Sequence, residues 1–181
     1  MRLEPDLAPI RTRRLQLVTL TASLVEAITS GRLGDASAEI GAPVAGWLAT
    51  DPSHLVQLRL AAEVAAAHGF AGLGRLILIG PALPRRAIGS IGFHGIPDPA
   101  GRLEVGCRIH PAHRGRGYGA EATTGLLDWA TERFDITRYL IAVPPWREAS
   151  ELVPVEIETR PAPALGNEIG RLADILEGER P

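Results

Sequence analysis

Arg114-Gly115-Arg116-Gly117-Tyr118-Gly119-Ala120 is the stretch on which the reading of this sequence turns. Ahead of it, Leu103, Val105, Cys107 and Ile109 alternate with Glu104, Gly106, Arg108 and His110, the period of a strand with one apolar and one polar face. Behind it, Ala122, Leu126, Trp129, Ala130 and Phe134 recur at helical spacing. A glycine-rich loop between a strand and a helix start suits an anion. Backbone N–H groups converge there and the helix dipole adds partial positive charge. Glycine lets the backbone approach a phosphate with no Cβ in between, and Arg114 and Arg116 bring charges of matching geometry. Cys107, on the apolar face, is expected to be a packed core thiol, with Trp129 and Phe134 also in the core.

Gly115 to Ala120 formally fits the dinucleotide pattern G-x-G-x-x-G/A. That pattern joins a first strand to a first helix and has an acid about 20 residues on. Here most of the chain precedes the loop, and the next strand, Ile136 to Val143, ends in Pro144-Pro145 with no acid. The Lys-Ser/Thr of a P-loop is missing too.

Working outward, Arg14 to Leu20 alternates as a half-buried strand, and Thr21 is placed to N-cap a helix to Ser30 that Gly31 ends. Arg32 to Ala49 reads as a long connection rich in Gly, Ala and Pro. Asp51-Pro52-Ser53 opens a helix through Leu55, Leu58, Leu60, Ala61 and Val64, closed by Gly69. Strands follow at Leu73 to Ile79 and Ala87 to His94, and Asp98-Pro99-Ala100-Gly101 turns the chain into the Leu103 strand. The order predicts an α/β (α+β) domain: a mixed, mostly antiparallel central sheet flanked by helices. Residues 1–146 form the body and 147–181 a Glu-rich, Pro-punctuated tail. In that tail Leu152, Val153, Val155 and Ile157 predict a strand beside Ile136–Val143. Arg160-Pro161-Ala162-Pro163 reads as a linker, and Leu165 to Glu177 as an amphipathic helix.

The 181 residues are 45% apolar, enough for one core, and the net charge is -2. That charge, with no aromatic platform beside the arginines, argues against a nucleic-acid partner. No apolar run is long enough for a bilayer, and the first residues lack the apolar core of a signal peptide. The single cysteine excludes an internal disulfide, and the histidines lack the companions of a zinc site, so no metal is expected. A cytoplasmic protein follows; nothing in the sequence opposes a homodimer.

On these residues the chain resembles the GNAT superfamily of acyl-CoA N-acyltransferases, in the branch of the ribosomal-protein N-terminal acetyltransferases. The family's Arg/Gln-x-x-Gly-x-Gly/Ala motif is met by Arg114, Gly117 and Gly119. Glu104-Val105-Gly106 is similar to the branch's Glu-Ile-Gly, His110-Pro111-Ala112-His113 to its approach to the loop, Ile88 to Phe93 to its hairpin strand, and Arg11 to Leu15 to its opening strand. The resemblance covers residues 10–150. It implies acetyl-CoA as co-substrate, with pyrophosphate at Arg114, Gly115, Arg116, Gly117, Tyr118, Gly119 and Ala120. Pantetheine would run along the strand to Ile109. It implies direct attack on the thioester by an amine, on a small molecule or a protein N-terminus. Glu104 is the implied base, with His94 at the end of the neighbouring strand as a second candidate. His110 and His113 flank the loop and either position it or contact phosphate.

After the last matched strand the family pattern Val-x-Pro-x-Asn-x-x-Ser keeps Val143, Pro145 and Ser150, a candidate catalytic residue, but has Arg147 for Asn. Glu151-Leu152-Val153-Pro154 replaces the family's Leu-Gly-Phe. Two readings follow: an active N-acetyltransferase with a rebuilt tail, or an altered relative that binds CoA without efficient turnover.

Overall fold

The alternating segments build one sheet with helices on both faces. The protein is described here from a computed structural model, which covers residues 8–50, 55, 58, 59, 63, 74–80, 84–95, 97–134, 136–143 and 156–161, with 142–143 and 156–161 described by their backbone alone. The strands are β1 (Ile10–Arg11), β2 (Leu15–Thr19), β3 (Gly74–Ile79), β4 (Ala87–Phe93), β5 (Arg102–Ile109), β6 (Arg138–Val143) and β7 (Glu156–Pro161), and they lie in sequence order across the sheet. From β1 to β5 every neighbour is antiparallel; β5–β6 and β6–β7 are parallel. The mixed, mostly antiparallel sheet expected from the sequence is therefore present.

Helix α1 (Ala22–Thr29) starts as expected: the Thr21 hydroxyl accepts the Leu24 N–H at 3.1 Å, and Gly31 follows at φ 72°. The stretch 32–49, read as a connection, instead holds α2 (Leu33–Ile40) and α3 (Trp47–Thr50). Ala36 and Ile40, four residues apart, are the buried residues of α2, and Gly41 closes it in the left-handed conformation. So small an apolar stripe hides within a Gly- and Ala-rich composition. Ser37 secures the exit: its hydroxyl donates to Leu33 O and accepts the Val44 N–H. Leu55, Leu58, Arg59 and Glu63 are helical, as expected; Asp51 to Ser53, Leu60, Ala61, Val64 and Gly69 lie outside the described residues.

Two hydrophobic layers result. On one face Leu15, Leu17, Ile77, Phe93, Leu103 and Val105 pack under α4 (Tyr118–Phe134) through Ala122, Leu126, Leu127 and Ala130. On the other, Leu76 and Leu78 meet Leu24, Ile28, Leu48 and Leu58. Trp129 and Phe134 border the first layer, edge to face with ring centroids 5.1 Å apart. Arg75 is fully buried there, which its charge does not announce. One guanidinium nitrogen donates to Thr19 Oγ1 and the Ala8 carbonyl, and the cation lies 4.4 Å from the Trp129 ring centroid.

The tail strand lies beside β6, as expected, but as Glu156–Pro161, so Ile157 belongs to it and Arg160-Pro161 extends it rather than serving as linker. Leu152, Val153, Val155 and the helix expected over Leu165 to Glu177 lie outside the described residues. Among the described residues no helix is long and apolar enough to cross a membrane.

Candidate active site

The site starts where the sheet opens. β5 pairs with β6 from Arg102↔Arg138 to Val105↔Ile141 and no further, yet stays paired with β4 to Ile109. The Glu104 carbonyl and the His110 N–H bond toward β4, to His94 N and Ile88 O, each at 2.8 Å. Alternation then turns the backbone groups of Cys107 and Ile109 toward the β6 side, where the two strands have parted. The opening also explains why Cys107 is exposed instead of being the expected core thiol. Its face is apolar, but Gly119 above it has no side chain to cover it; a Cβ there would sit 3.8 Å from Cys107 Sγ.

At the end of β5 a 3-10 turn, Pro111–His113, leads into the loop; His110 caps it, Nδ1 accepting the Ala112 N–H. Arg114 folds back so that Nε donates to the Ile109 carbonyl at 2.9 Å, at the mouth of the gap. Gly115 and Gly117 have φ of 73° and 74°, a region closed to most side chains, so glycine is required twice. The first helical bond of α4 runs from Glu121 N–H to Gly117 O, which leaves the N–H groups of Tyr118, Gly119 and Ala120 ahead of it. Arg116 is exposed beside them. The Tyr118 ring, by contrast, is buried in the core, so only the backbone of Tyr118 faces the loop.

Sequence reasoning missed what holds this loop. Thr12 and Arg14, in the turn between β1 and β2, grip Glu121 in the first turn of α4. The carboxylate accepts from Thr12 Oγ1 at 2.6 Å, from Arg14 N at 2.6 Å and from Arg14 Nε at 2.5 Å. Arg14 Nη1 then donates to the Arg116 carbonyl at 2.9 Å, and its guanidinium lies 4.6 Å from the Tyr118 ring centroid. Burial pushes the Glu121 carboxyl upward. The hydrogen bonds from Thr12 and Arg14 and the Arg14 charge outweigh this and hold it below its ordinary value. A sequence signal existed in Glu121 itself, an acid in the first turn of a helix otherwise led by arginines.

On the opposite face of β5 two of the three catalytic candidates come together. His94 Nδ1 lies 3.4 Å from Glu104 Oε1. Gly106 makes this arrangement fit: a Cβ at that position would come within 2.4 Å of His94 Nε2, so the imidazole occupies the space a side chain would take. Ser150 lies outside the described residues. His110 and His113 sit side by side, ring centroids 5.9 Å apart. Among the described residues no three His, Cys, Asp or Glu gather as metal ligands.

The mixed sheet with helices on both faces is the architecture of acetyltransferase structures. The chain belongs to the acetyltransferase (GNAT) domain family, whose model matches residues 14–154. The uncharacterized N-acetyltransferase YjdG of Bacillus subtilis (strain 168) is 39% identical over 51 residues, a stretch that takes in 28% of this chain and 30% of that protein. The crystal structure of an acetyltransferase from Agrobacterium tumefaciens matches with a TM-score of 0.52 at 26% identity, over 83% of this chain and 82% of that one. Ribosomal L7/L12 alpha-N-protein acetyltransferase in complex with coenzyme A matches with a TM-score of 0.50 at 17% identity, over 78% of each chain.

Proposed function

We propose that this chain is an acetyl-CoA-dependent N-acetyltransferase whose co-substrate lies in the gap between β5 and β6. The observation that carries the reading is the register. β5 parts from β6 at Val105 while keeping β4 to Ile109, so a strand edge opens beside the glycine-rich loop. Pantetheine has amide groups to complete such an edge. Its pyrophosphate suits the N–H groups of Tyr118, Gly119 and Ala120, the glycines at 115 and 117, and the charges of Arg114 and Arg116. The CoA-bound relative supports the choice of ligand. A cytoplasmic setting suits this co-substrate.

The chemistry is direct transfer. The amine nitrogen attacks the thioester carbonyl carbon, the N–C bond forms, and the C–S bond breaks with its electron pair leaving on sulfur. One proton must leave the nitrogen and one must reach the thiolate. Glu104 and His94 are the candidates for the first transfer, supported by their mutual approach. Glu104 takes the proton itself, or holds the His94 Nδ1–H so that Nε2 above Gly106 accepts it. Ser150 is the candidate for returning a proton to sulfur.

Amine-dependent release of CoA thiol, followed with a panel of small amines and peptides, tests the reading. Glu104→Gln should lower kcat about 100-fold, within the usual range for a lost general base, with acetyl-CoA KM little changed. A folded wild-type protein that hydrolyses acetyl-CoA no faster with any amine than without would overturn it.

A further inference from the structure

Glu104, Gly106, Arg108 and His110 share the polar face of β5, and each is partly exposed. At the His110 end this face runs into an open groove of about 450 Å³. Pro43, Trp47, Arg85, Arg86, His110 and His113 are among the residues that line it. The Trp47 and His110 rings pack with centroids 5.2 Å apart. Four basic side chains thus meet in one groove, and among the described residues none has a carboxylate partner. Among the described residues the Arg85 guanidinium donates to the Gln16 amide oxygen, at 2.6 Å. His113 Nδ1 is buried and has no hydrogen-bond partner among the described residues. Burial first, and then the charges of Arg116, His110 and Arg86, push the His113 pKa down. The five acids that form ion pairs among the described residues all do so elsewhere.

We infer that this groove is an anion subsite for the acceptor, and that the acceptor is a peptide chain with a carboxylate or phosphate group about six residues from its reacting amine. The inference rests on the acetyl-transfer reading above. Charge gives the chemistry of the group: guanidinium and imidazole donors beside an aromatic wall fit a carboxylate or phosphate. Distance gives the length. Six strand residues separate Glu104 from His110, roughly 20 Å at about 3.3 Å per residue. A small amine or amino sugar cannot span that distance, and a polyamine has the wrong charge. An extended peptide, at about 3.3–3.6 Å per residue, covers it in about six residues. Arg86 is exposed and otherwise unpaired among the described residues, which makes it the residue to change.

The test uses the full chain and paired seven-residue Ser/Ala peptides with a free N-terminus, carrying Asp or Asn at position six. Thiol release and direct binding of each peptide to the CoA-loaded protein are both measured. Asp should lower KM and Kd about tenfold relative to Asn, the size of one charge-assisted contact, with kcat alike for both. The preference should move to weaker values when Asp is placed at position three, and should vanish in Arg86→Ala. Equal KM and Kd for the two peptides in the wild type would overturn the subsite while leaving acetyl transfer intact. No thiol release with either peptide or with any small amine would fail the reading beneath it instead. Affinities for CoA and dephospho-CoA give a further check. If Arg86→Ala weakens CoA but not dephospho-CoA, the groove holds the co-substrate's 3′-phosphate and the acceptor assignment is wrong.

Discussion

Glu121 shows how much one residue outside the recognised motif carries. It joins the turn before β2 to the start of α4, and through Arg14 it fixes the Arg116 carbonyl in the loop. Its side chain is only 16% exposed, so its charged contacts are shielded from water. Glu121→Gln should cost about 1–2 kcal/mol of stability at pH 7 and weaken CoA binding several-fold. The sign of the pH dependence follows from its lowered pKa. The stabilisation is full above the ordinary value of 4.5 and is lost as pH falls through the lower folded value. Urea unfolding of both proteins should therefore show a gap at pH 7 that narrows as the pH falls below 4.5; a constant gap would mean the carboxylate charge is not what stabilises. Gly106 works by absence. A methyl group there would displace the His94 ring, so Gly106→Ala should lower kcat by tenfold or more with acetyl-CoA KM within about twofold. An unchanged kcat would remove His94 from the chemistry.

Among the elements, β5 was the most legible, because a period of two in eight residues leaves little choice of structure, and the loop after it was legible because glycine and arginine have few other reasons to alternate. The sequence could not show that β5 and β6 part at Val105, since register depends on both strands and on what packs over them. For the same reason Cys107 read as core: periodicity assigns a face, not a cover. Helix α2 was missed because Ala36 and Ile40 are a thin stripe among small residues, and Arg75 because nothing local distinguishes a buried arginine from a solvated one. The β4–β5 pair has its own close approach. A Cβ at Gly89 would meet the Arg108 carbonyl oxygen at 2.3 Å, and backbone cannot yield as a side chain does. Gly89→Ala should destabilise by about 1–3 kcal/mol in denaturant unfolding; no loss of stability would mean that β4 and β5 lie farther apart.

Across the whole molecule, the sheet separates two tasks. The start of α4 and the β5–β6 gap hold the backbone N–H groups and arginines that the proposed function assigns to the co-substrate. On the opposite face lie the Glu104–His94 pair and the basic groove, the parts the proposed function assigns to the acceptor. The open strand edge lies between them. Everything in that division depends on the loop at 114–120 holding the pyrophosphate. Calorimetric titration of acetyl-CoA into the wild type and Gly117→Val tests it most directly. Gly117 is exposed, its φ is 74°, and a Cβ there would reach only the tip of Arg14 at 3.4 Å, so the body should fold while the cradle is spoiled. The account predicts saturable one-to-one binding by the wild type and a Kd at least tenfold weaker in the variant, with unchanged far-UV circular dichroism. Equal affinity in the two proteins, or no binding by a folded wild type at millimolar acetyl-CoA, would contradict it.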